Sequence, residues 1–377
     1  MTAYRSNATA SEIAGRIQAA RRILLTTHVK PDGDGLGAAL ALWRAMESRG
    51  GAGPSADIYL MGPVEPRLEV IAGETPYRLV EAEPPGNDYD PAVVLDTGSW
   101  AQLQPLAEWL RPRQKIIVGV DHHSKGDDVA ALRIVDATAA STTQLLVPIL
   151  EAMGCPITGG AGSVAEALFV GLATDTGWFR FSNANAQAFR LAAGLIELGV
   201  DKTHLYRTIE ETFRVQRLAL QACALASLEY AHDGAVAIMS LRPSDFQATG
   251  GSQEDLSELV NMPMAVRSVQ VSVLLAATQS NRTKISFRSK PPTPGLDGGP
   301  SVDMNVLAQH FGGGGHIHAA GAHVDTDVDR ARDAVFAAIE KVGPQRKEEG
   351  SGFRVQEAVP APKKAKIHRG GPAQEGS

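Results

Sequence analysis

The chain of 377 residues has little cysteine: Cys155 and Cys223 stand far apart and in no CxxC spacing. That excludes a disulfide framework and a thiolate zinc site. It lacks any run of about 18 apolar residues, which leaves no expected membrane span. The opening stretch, MTAYRSNATASEIAGRIQAARRILL, has no basic segment followed by a long apolar one, so no secretory leader is expected and the cytoplasm is the expected compartment. Aromatic residues make up only 5%. Positive charge is in deficit, with a formal net charge of -6. Tight binding of long nucleic acid through a broad basic face needs many Lys and Arg contacts to phosphates and is not expected. A short anionic substrate remains compatible.

What is present is the composition of an ordinary globular protein, 44% hydrophobic and 21% charged. The length suits two domains of roughly 100 to 200 residues each. From about residue 10 to 200, short β-branched runs at 23–27, 57–61, 92–95, 115–120 and 132–135 alternate with Ala/Leu-rich segments. That alternation predicts an α/β domain with a parallel sheet and crossover helices. One helix is expected over LGAALALWRAMESRG and another over STTQLLVPILEAMG, each closed by glycine. Residues 201–230 read as continuous helix and serve as the expected linker. A smaller α+β domain follows over 231–343, with an antiparallel hairpin of VQVSVLLAAT and TKISFRS turning at Ser280-Asn281, and a helix at 328–342. The tail, 344–377, holds seven Lys/Arg against four Glu, is rich in Pro and Gly, and is expected to be disordered.

The chemistry gathers at strand ends. ILLTT runs into His28 and the stretch HVKPDGDG adds Asp32 and Asp34; AVVL ends on Asp96; KIIVGV ends on Asp121-His122-His123; and GLATDTG presents Asp175 before a glycine turn. In an open parallel sheet the ligand crevice lies beyond the carboxyl ends of the strands, so residues dozens of positions apart can converge there. The set His28, Asp32, Asp34, Asp96, His122 and Asp175 is hard and mixed, without sulfur, and suits manganese or magnesium. Six donors exceed what one ion takes while leaving room for substrate, so two ions are expected, with Asp96 the candidate bridge. Such a pair serves phosphate ester hydrolysis.

The order HVKPDGDGLGA, VVLDTG, VDHH and ATDTG resembles the four motifs of the DHH phosphoesterase superfamily, and FGGGGHIHAAG at 311–321 resembles the signature of its DHH-associated C-terminal domain. The likeness spans about residues 15–343 and is most similar to the bacterial nanoRNase branch, oligoribonucleases that also act as 3',5'-bisphosphate nucleotidases. It implies a catalytic N-terminal domain and a mixed-sheet, substrate-binding C-terminal domain with a cleft between them. It further implies two manganese ions, with magnesium as the alternative. His28 and Asp32 would hold one, Asp34, His122 and Asp175 the other, and Asp96 would bridge. His123 would contact the scissile phosphate or protonate the leaving oxygen, and Asp121 would orient an imidazole. Gly313, Gly314 and Gly315 would admit the terminal nucleotide or its phosphate to backbone N–H groups, with Arg288 and His316 beside them. Family members often have Pro-x-Ala-Ala-Gly after that histidine. Here Ile317-His318-Ala319-Ala320-Gly321 follows, so His318 is a substrate-side candidate whose role the resemblance does not define. Arg180 and Arg214 are further candidates for phosphate contact.

The implied substrates are short RNA, dinucleotides or adenosine 3',5'-bisphosphate, with no membrane and no stable long nucleic-acid complex, and a homodimer left open. Cyclic-dinucleotide hydrolysis, a RecJ-type exonuclease and an inorganic pyrophosphatase are the enzymatic alternatives, and a degenerate nucleotide-binding module is the non-enzymatic one.

Overall fold

The computed structural model describes residues 4–51, 53–291 and 302–342, with the side chains of His316 and Val342 outside the described residues. The tail expected to be disordered lies outside them as well. The chain divides into two compact units, Met1–Thr212 and Phe213–Ser377.

In the first unit, Thr9 and Glu12 exchange hydrogen bonds as a capping box that opens α1 (Ala10–Gln18). The strands β1 (Arg22–Thr26), β2 (Ser55–Leu60), β3 (Tyr77–Leu79), β4 (Ala92–Leu95), β5 (Ile117–Asp121) and β6 (Leu132–Val135) form one sheet in the order β3-β2-β1-β4-β5-β6. Every pairing in it is parallel. Successive residues feed two different cores: Ile23 and Leu25 enter one, Leu24 the other, and Val93 and Leu95 alternate in the same way with Ala92 and Val94. Burial on both faces is why these strands read as apolar runs. The helices are α2 (Gly33–Glu47), α3 (Pro66–Ala72), α4 (Ala107–Leu110), α5 (Thr142–Ala152), α6 (Val164–Asp175), α7 (Ala186–Glu197) and α8 (Lys202–Glu210). α2 packs on both α5 and α6 and is buried on nearly every side, as its run of Ala, Gly and Leu allows.

The five strands expected from sequence are present to within two residues at each end. β3 was not expected, because its three residues, Tyr-Arg-Leu, form a half-exposed edge strand with no apolar run. The order of the sheet reverses between β1 and β4, which places a topological switch point there.

The expected continuous helix over 201–230 is corrected. α8 ends at Glu210, residues 211–214 are non-helical, and α9 (Val215–Ala226) begins the second unit. Arg214 caps α9 with extended backbone, and its guanidinium is held by Asp255 and Ser252 instead of continuing a helical turn.

The second unit adds β7 (Glu229–Ala231), β8 (Val236–Leu241), α10 (Pro243–Thr249), β9 (Val271–Gln279), β10 (Arg282–Ser289), α11 (Met304–Gln309), β11 (Gly314–His316), β12 (Ala319–Val324) and α12 (Val328–Val342). Its sheet runs β11-β12-β10-β9-β8-β7 and is mixed, with β8 parallel to β9 and the other pairs antiparallel. The β9–β10 hairpin turns where the sequence predicts. Val271, Val273 and Leu275 face one apolar core and Leu274 and Ala276 another. Among the described residues, no helix is long and apolar enough to cross a membrane.

Candidate metal centre

The switch point is where the polar residues collect. β1 delivers His28, β4 delivers Asp96 and β5 delivers Asp121, His122 and His123, because each motif sits just past or at the carboxyl end of its strand. Asp32 is the N-cap of α2 and accepts from the Asp34 and Gly35 N–H groups, both at 3.0 Å. The glycines of PDGDG have a packing reason. A Cβ on Gly33 would stand 2.3 Å from Thr174 Oγ1, and one on Gly35 would stand 2.2 Å from Thr27 Oγ1. The start of α2 is thereby pressed between the residue before His28 and the residue before Asp175.

The geometry centres on Asp96, which is 2% exposed. Its Oδ2 lies 3.5 Å from His28 Nε2, and its Oδ1 lies 3.5 Å from His122 Nε2 and 3.8 Å from His123 Nδ1. The two oxygens of one carboxylate thus face different imidazoles. Around the first, His28 Nε2 is also 3.5 Å from Asp32 Oδ1. Around the second, His122 Nε2 is 3.6 Å from Asp175 Oδ2 and 3.9 Å from Asp34 Oδ2. Donor atoms of His28, Asp32 and Asp96 lie within 4.8 Å of one another, as do those of Asp96, His122 and His123. His28 Nδ1–H donates to the Val29 carbonyl at 3.0 Å, which turns Nε2 toward the carboxylates.

Four residues not singled out from sequence hold this arrangement. The N-terminus of α5 receives the buried Asp34 carboxylate: Thr142 N–H donates to Asp34 Oδ2 at 2.6 Å and Thr143 N–H to Asp34 Oδ1 at 3.0 Å. The Thr142 hydroxyl donates to Asp96 Oδ1 at 2.9 Å. Asp175 is the last residue of α6, at the end of its apolar run. After it, Gly177, Trp178 and Phe179 take three successive left-handed conformations, φ 56°, 56° and 65°. Such conformations cost non-glycine residues about 1–2 kcal/mol each. The reversal brings Asn183 back so that its Nδ2 donates to the Asp175 carboxylate at 3.3 Å and to the Ala140 carbonyl at 3.0 Å. Asp96 is itself left-handed, φ 61°, a conformation that Asp and Asn tolerate better than most residues. The fourth residue is Tyr4, whose hydroxyl donates to Asp121 Oδ2 at 2.6 Å.

The electrostatics describe a place for cations. Burial, reinforced by the neighbouring carboxylates, raises Asp34 and Asp96 above the ordinary carboxylate range and pushes Asp175 up to about 7. Burial disfavours the His28 imidazolium, yet Asp32 and Asp96 outweigh it and push the ring up to about 11. Asp121 is held low despite burial by hydrogen bonds from His123 and Tyr4, and the same Asp121 contact, against burial, pushes His123 up to about 9. The ion-pair partners of the four clustered carboxylates are imidazoles. The buried Thr27 hydroxyl and the Asn183 amide oxygen, both next to the cluster, make no hydrogen bond within the described protein. Oxygen and imidazole donors, crowded negative charge and unused polar atoms fit divalent cations of the hard or borderline kind. Beside Asp32 and Asp175 a cavity of about 220 Å³ opens, lined also by Lys30, Arg67 and Glu210.

His123 stands apart in its bonding. Its Nδ1 is committed to Asp121 Oδ1 at 2.7 Å, and the side chain is 56% exposed.

In the second unit, Arg288 on β10 pairs in register with Ala319 on β12, and His316 on β11 pairs with the same residue, so the two candidates lie at one level of the sheet. The Gly313 N–H donates to the Ala308 carbonyl and the Gly315 N–H to Asn305 Oδ1, both at 3.0 Å. A Cβ would stand 2.1 Å from the Gly321 carbonyl oxygen at Gly313 and 2.5 Å from the Ala319 carbonyl oxygen at Gly315. Those two glycines are therefore required by the passage of the chain against β12, whereas Gly314 faces nothing closer than Asn305 Oδ1 at 3.5 Å. His318 Nδ1 lies 3.0 Å from Ser289 Oγ, which sits next to Arg288. Arg214 is committed to Asp255, and Arg180 is exposed with its Nε donating to the Gly177 carbonyl.

Comparison with known proteins follows the same division. The model of the DHH family N-terminal domain matches residues 22–172 and that of the DHHA1 domain matches residues 233–341. A bifunctional oligoribonuclease and PAP phosphatase NrnA of Thermus thermophilus is 29% identical over 323 residues, covering 84% of this chain and 89% of that protein. Its namesake in Bacillus subtilis is 24% identical over 305 residues, covering 80% and 89%. The crystal structure of an exopolyphosphatase-related protein from Bacteroides fragilis superposes with a TM-score of 0.78 at 23% identity, over 91% of this chain and 99% of that one, and shares the fold. With both domain types in order and the motif residues gathered at one switch point, the chain belongs to the DHH phosphoesterase superfamily, in the branch that joins a DHH domain to a DHHA1 domain.

Proposed function

We propose that this protein is a two-metal, manganese-dependent phosphoesterase of short nucleotides, hydrolysing short RNA oligonucleotides and dinucleotides and removing the 3' phosphate of adenosine 3',5'-bisphosphate. The observation that carries the reading is the pair of half-sites around Asp96, each of whose oxygens faces a different imidazole at 3.5 Å. His28 and Asp32 would hold one ion, Asp34, His122 and Asp175 the other, and Asp96 both. Bound divalent ions supply an activated water and neutralise charge on the phosphoryl group. The protein's own residues do the rest. Thr142, Thr143 and Asn183 keep the carboxylates oriented, so little reorganisation is left for the reacting complex. His123, exposed and carrying its proton readily, serves the leaving oxygen. Arg288, Gly314, His316 and His318 are assigned to the nucleotide; Gly313 and Gly315, expected there from the sequence, instead have their N–H groups bonded to the Ala308 carbonyl and Asn305 Oδ1. The substrate class is supported by the names of the Thermus and Bacillus relatives and by the acidic charge balance, which favours few phosphates over many.

The test is a comparison of hydrolysis by chelator-stripped protein supplied with manganese, magnesium or neither. The substrates are RNA of two to about five nucleotides, adenosine bisphosphate, long RNA, cyclic dinucleotides and pyrophosphate. The reading requires manganese-dependent turnover with the short linear substrates fastest. Metal-independent turnover, or faster cleavage of long RNA or pyrophosphate, overturns it.

A further inference from the structure

We propose that Tyr4 is a positioning residue for His123, acting through Asp121, and that the segment before α1 is therefore part of the working site. This rests on the reading of His123 as proton donor to the leaving oxygen.

The segment is tied along β6. Asn7 N–H donates to the Arg133 carbonyl at 3.0 Å, Ser6 Oγ donates to the Val135 carbonyl at 2.9 Å and accepts from the Val135 N–H at 2.8 Å, and Arg133 Nε donates to the Arg5 carbonyl at 3.0 Å. These bonds bring the Tyr4 ring to two places where a side chain is missing. A Cβ on Gly98 would stand 2.0 Å from the Tyr4 hydroxyl oxygen, and one on Gly126 would stand 2.6 Å from Tyr4 Cζ. Gly98 lies two residues after Asp96 and Gly126 three after His123, so both loops that carry the chemistry are hollowed at the phenol.

At the bottom of that slot the Asp121 carboxylate, 1% exposed, is bonded at both oxygens. Oδ2 accepts from the phenol at 2.6 Å, and Oδ1 accepts from His123 Nδ1–H at 2.7 Å and from the His123 N–H at 3.1 Å. A buried carboxylate that loses one of its donors is free to turn toward another, and the imidazole it orients turns with it. With the phenol in place, His123 keeps Nδ1–H on Asp121 and leaves Nε2 as the nitrogen that can act. This is the arrangement in which an acid–base group is itself oriented by a third group. In the step served, a water oxygen forms the new bond to phosphorus while the bond from phosphorus to the ribose oxygen breaks. The departing oxygen keeps that electron pair and takes the proton of His123 Nε2. The water's proton goes to solvent, from which His123 is reprotonated.

The experiment uses the full manganese-loaded chain and compares Tyr4→Phe, which keeps the ring between the glycines, with His123→Ala. Each is assayed on an RNA dinucleotide, whose leaving hydroxyl needs a proton, and on bis(4-nitrophenyl) phosphate, whose leaving phenolate does not. Thermal midpoint and manganese affinity are measured alongside. Expected for Tyr4→Phe is a fall of about tenfold in kcat on the dinucleotide. KM, the nitrophenyl rate, the midpoint and the metal affinity stay unchanged. His123→Ala shows the same selectivity with a larger loss. If His123→Ala is selective and Tyr4→Phe either changes nothing or lowers both rates together with the midpoint, the positioning role is overturned. If His123→Ala slows both substrates alike, the reading of His123 as leaving-group acid falls, and this inference with it.

Discussion

Asp96→Asn should reverse the sign of the site's contribution to stability according to whether divalent metal is present. Asparagine suits the position: it tolerates φ 61° and its amide oxygen can keep accepting from the Thr142 hydroxyl at 2.9 Å. Alanine would add about 1–2 kcal/mol of left-handed strain and confuse the result. In chelator, burial and then Asp34 push Asp96 well above the ordinary carboxylate range, so the fold disfavours the ionised group. The neutral amide removes that cost, and the thermal midpoint of the variant should lie above that of the parent. With free manganese at about 100 times its Kd, the parent gains about 2.7 kcal/mol. For a unit of this size that is about 2–4 °C per kcal/mol, hence an upward shift of about 5–10 °C. The variant, having lost the carboxylate shared by both half-sites, should shift by less than about 2 °C, and its hydrolysis should fall by more than the roughly 10–100-fold typical of outer-sphere changes. Calorimetric melting across a manganese series at pH 7.5, with dinucleotide hydrolysis on the same samples, reads all three. A parent-like metal shift in the variant would refute the shared-ligand argument.

Thr142→Val deletes the hydroxyl that holds Asp96 but keeps the backbone N–H to Asp34, so manganese affinity by calorimetric titration should weaken by about 10–100-fold. Unchanged affinity would show that the hydroxyl is idle. Asp175 is pushed by burial, then Asp34 and Asp32, from 3.8 to about 7. Between those values the folded chain holds more protons than the unfolded one, so in chelator stability falls as pH rises, by about 1.4 kcal/mol per unit, and levels above about pH 7. Asp175→Asn should flatten this slope in melts from pH 5 to 8, and parallel curves would count against the assignment. Gly171→Ala would place a Cβ 2.6 Å from Asp34 Oδ1 and 2.4 Å from Thr143 Cγ2. The midpoint should drop by the equivalent of about 1–3 kcal/mol, with manganese affinity falling because Asp34 must move. A variant with parent-like melting and binding would contradict the packing.

The sheet and the donor residues were readable in sequence because both rest on short-range signals. Burial on two faces leaves an apolar run such as AVVL, and a polar motif just beyond it stands out; that is how His28, Asp96 and His122 declare themselves. β3 was not readable, since three half-exposed residues carry no periodicity. The helix expected across 201–230 failed for a related reason: its apolar spacing continues through 211–214, while the partners that bend Arg214 away, Ser252 and Asp255, are about forty residues distant.

By itself, then, the sequence determined five of the six strands of the first unit's parallel sheet, the hairpin of the second, and the kinds of atom offered at the strand ends. Tertiary structure alone decided how those atoms are held. The hydrogen bond from Thr142 to Asp34 joins residues 108 positions apart, and that from Tyr4 to Asp121 joins residues 117 apart. A buried carboxylate must find its donors wherever packing brings them. Periodicity reports what a residue's near neighbours require, and it carries no record of which distant helix end or phenol will arrive.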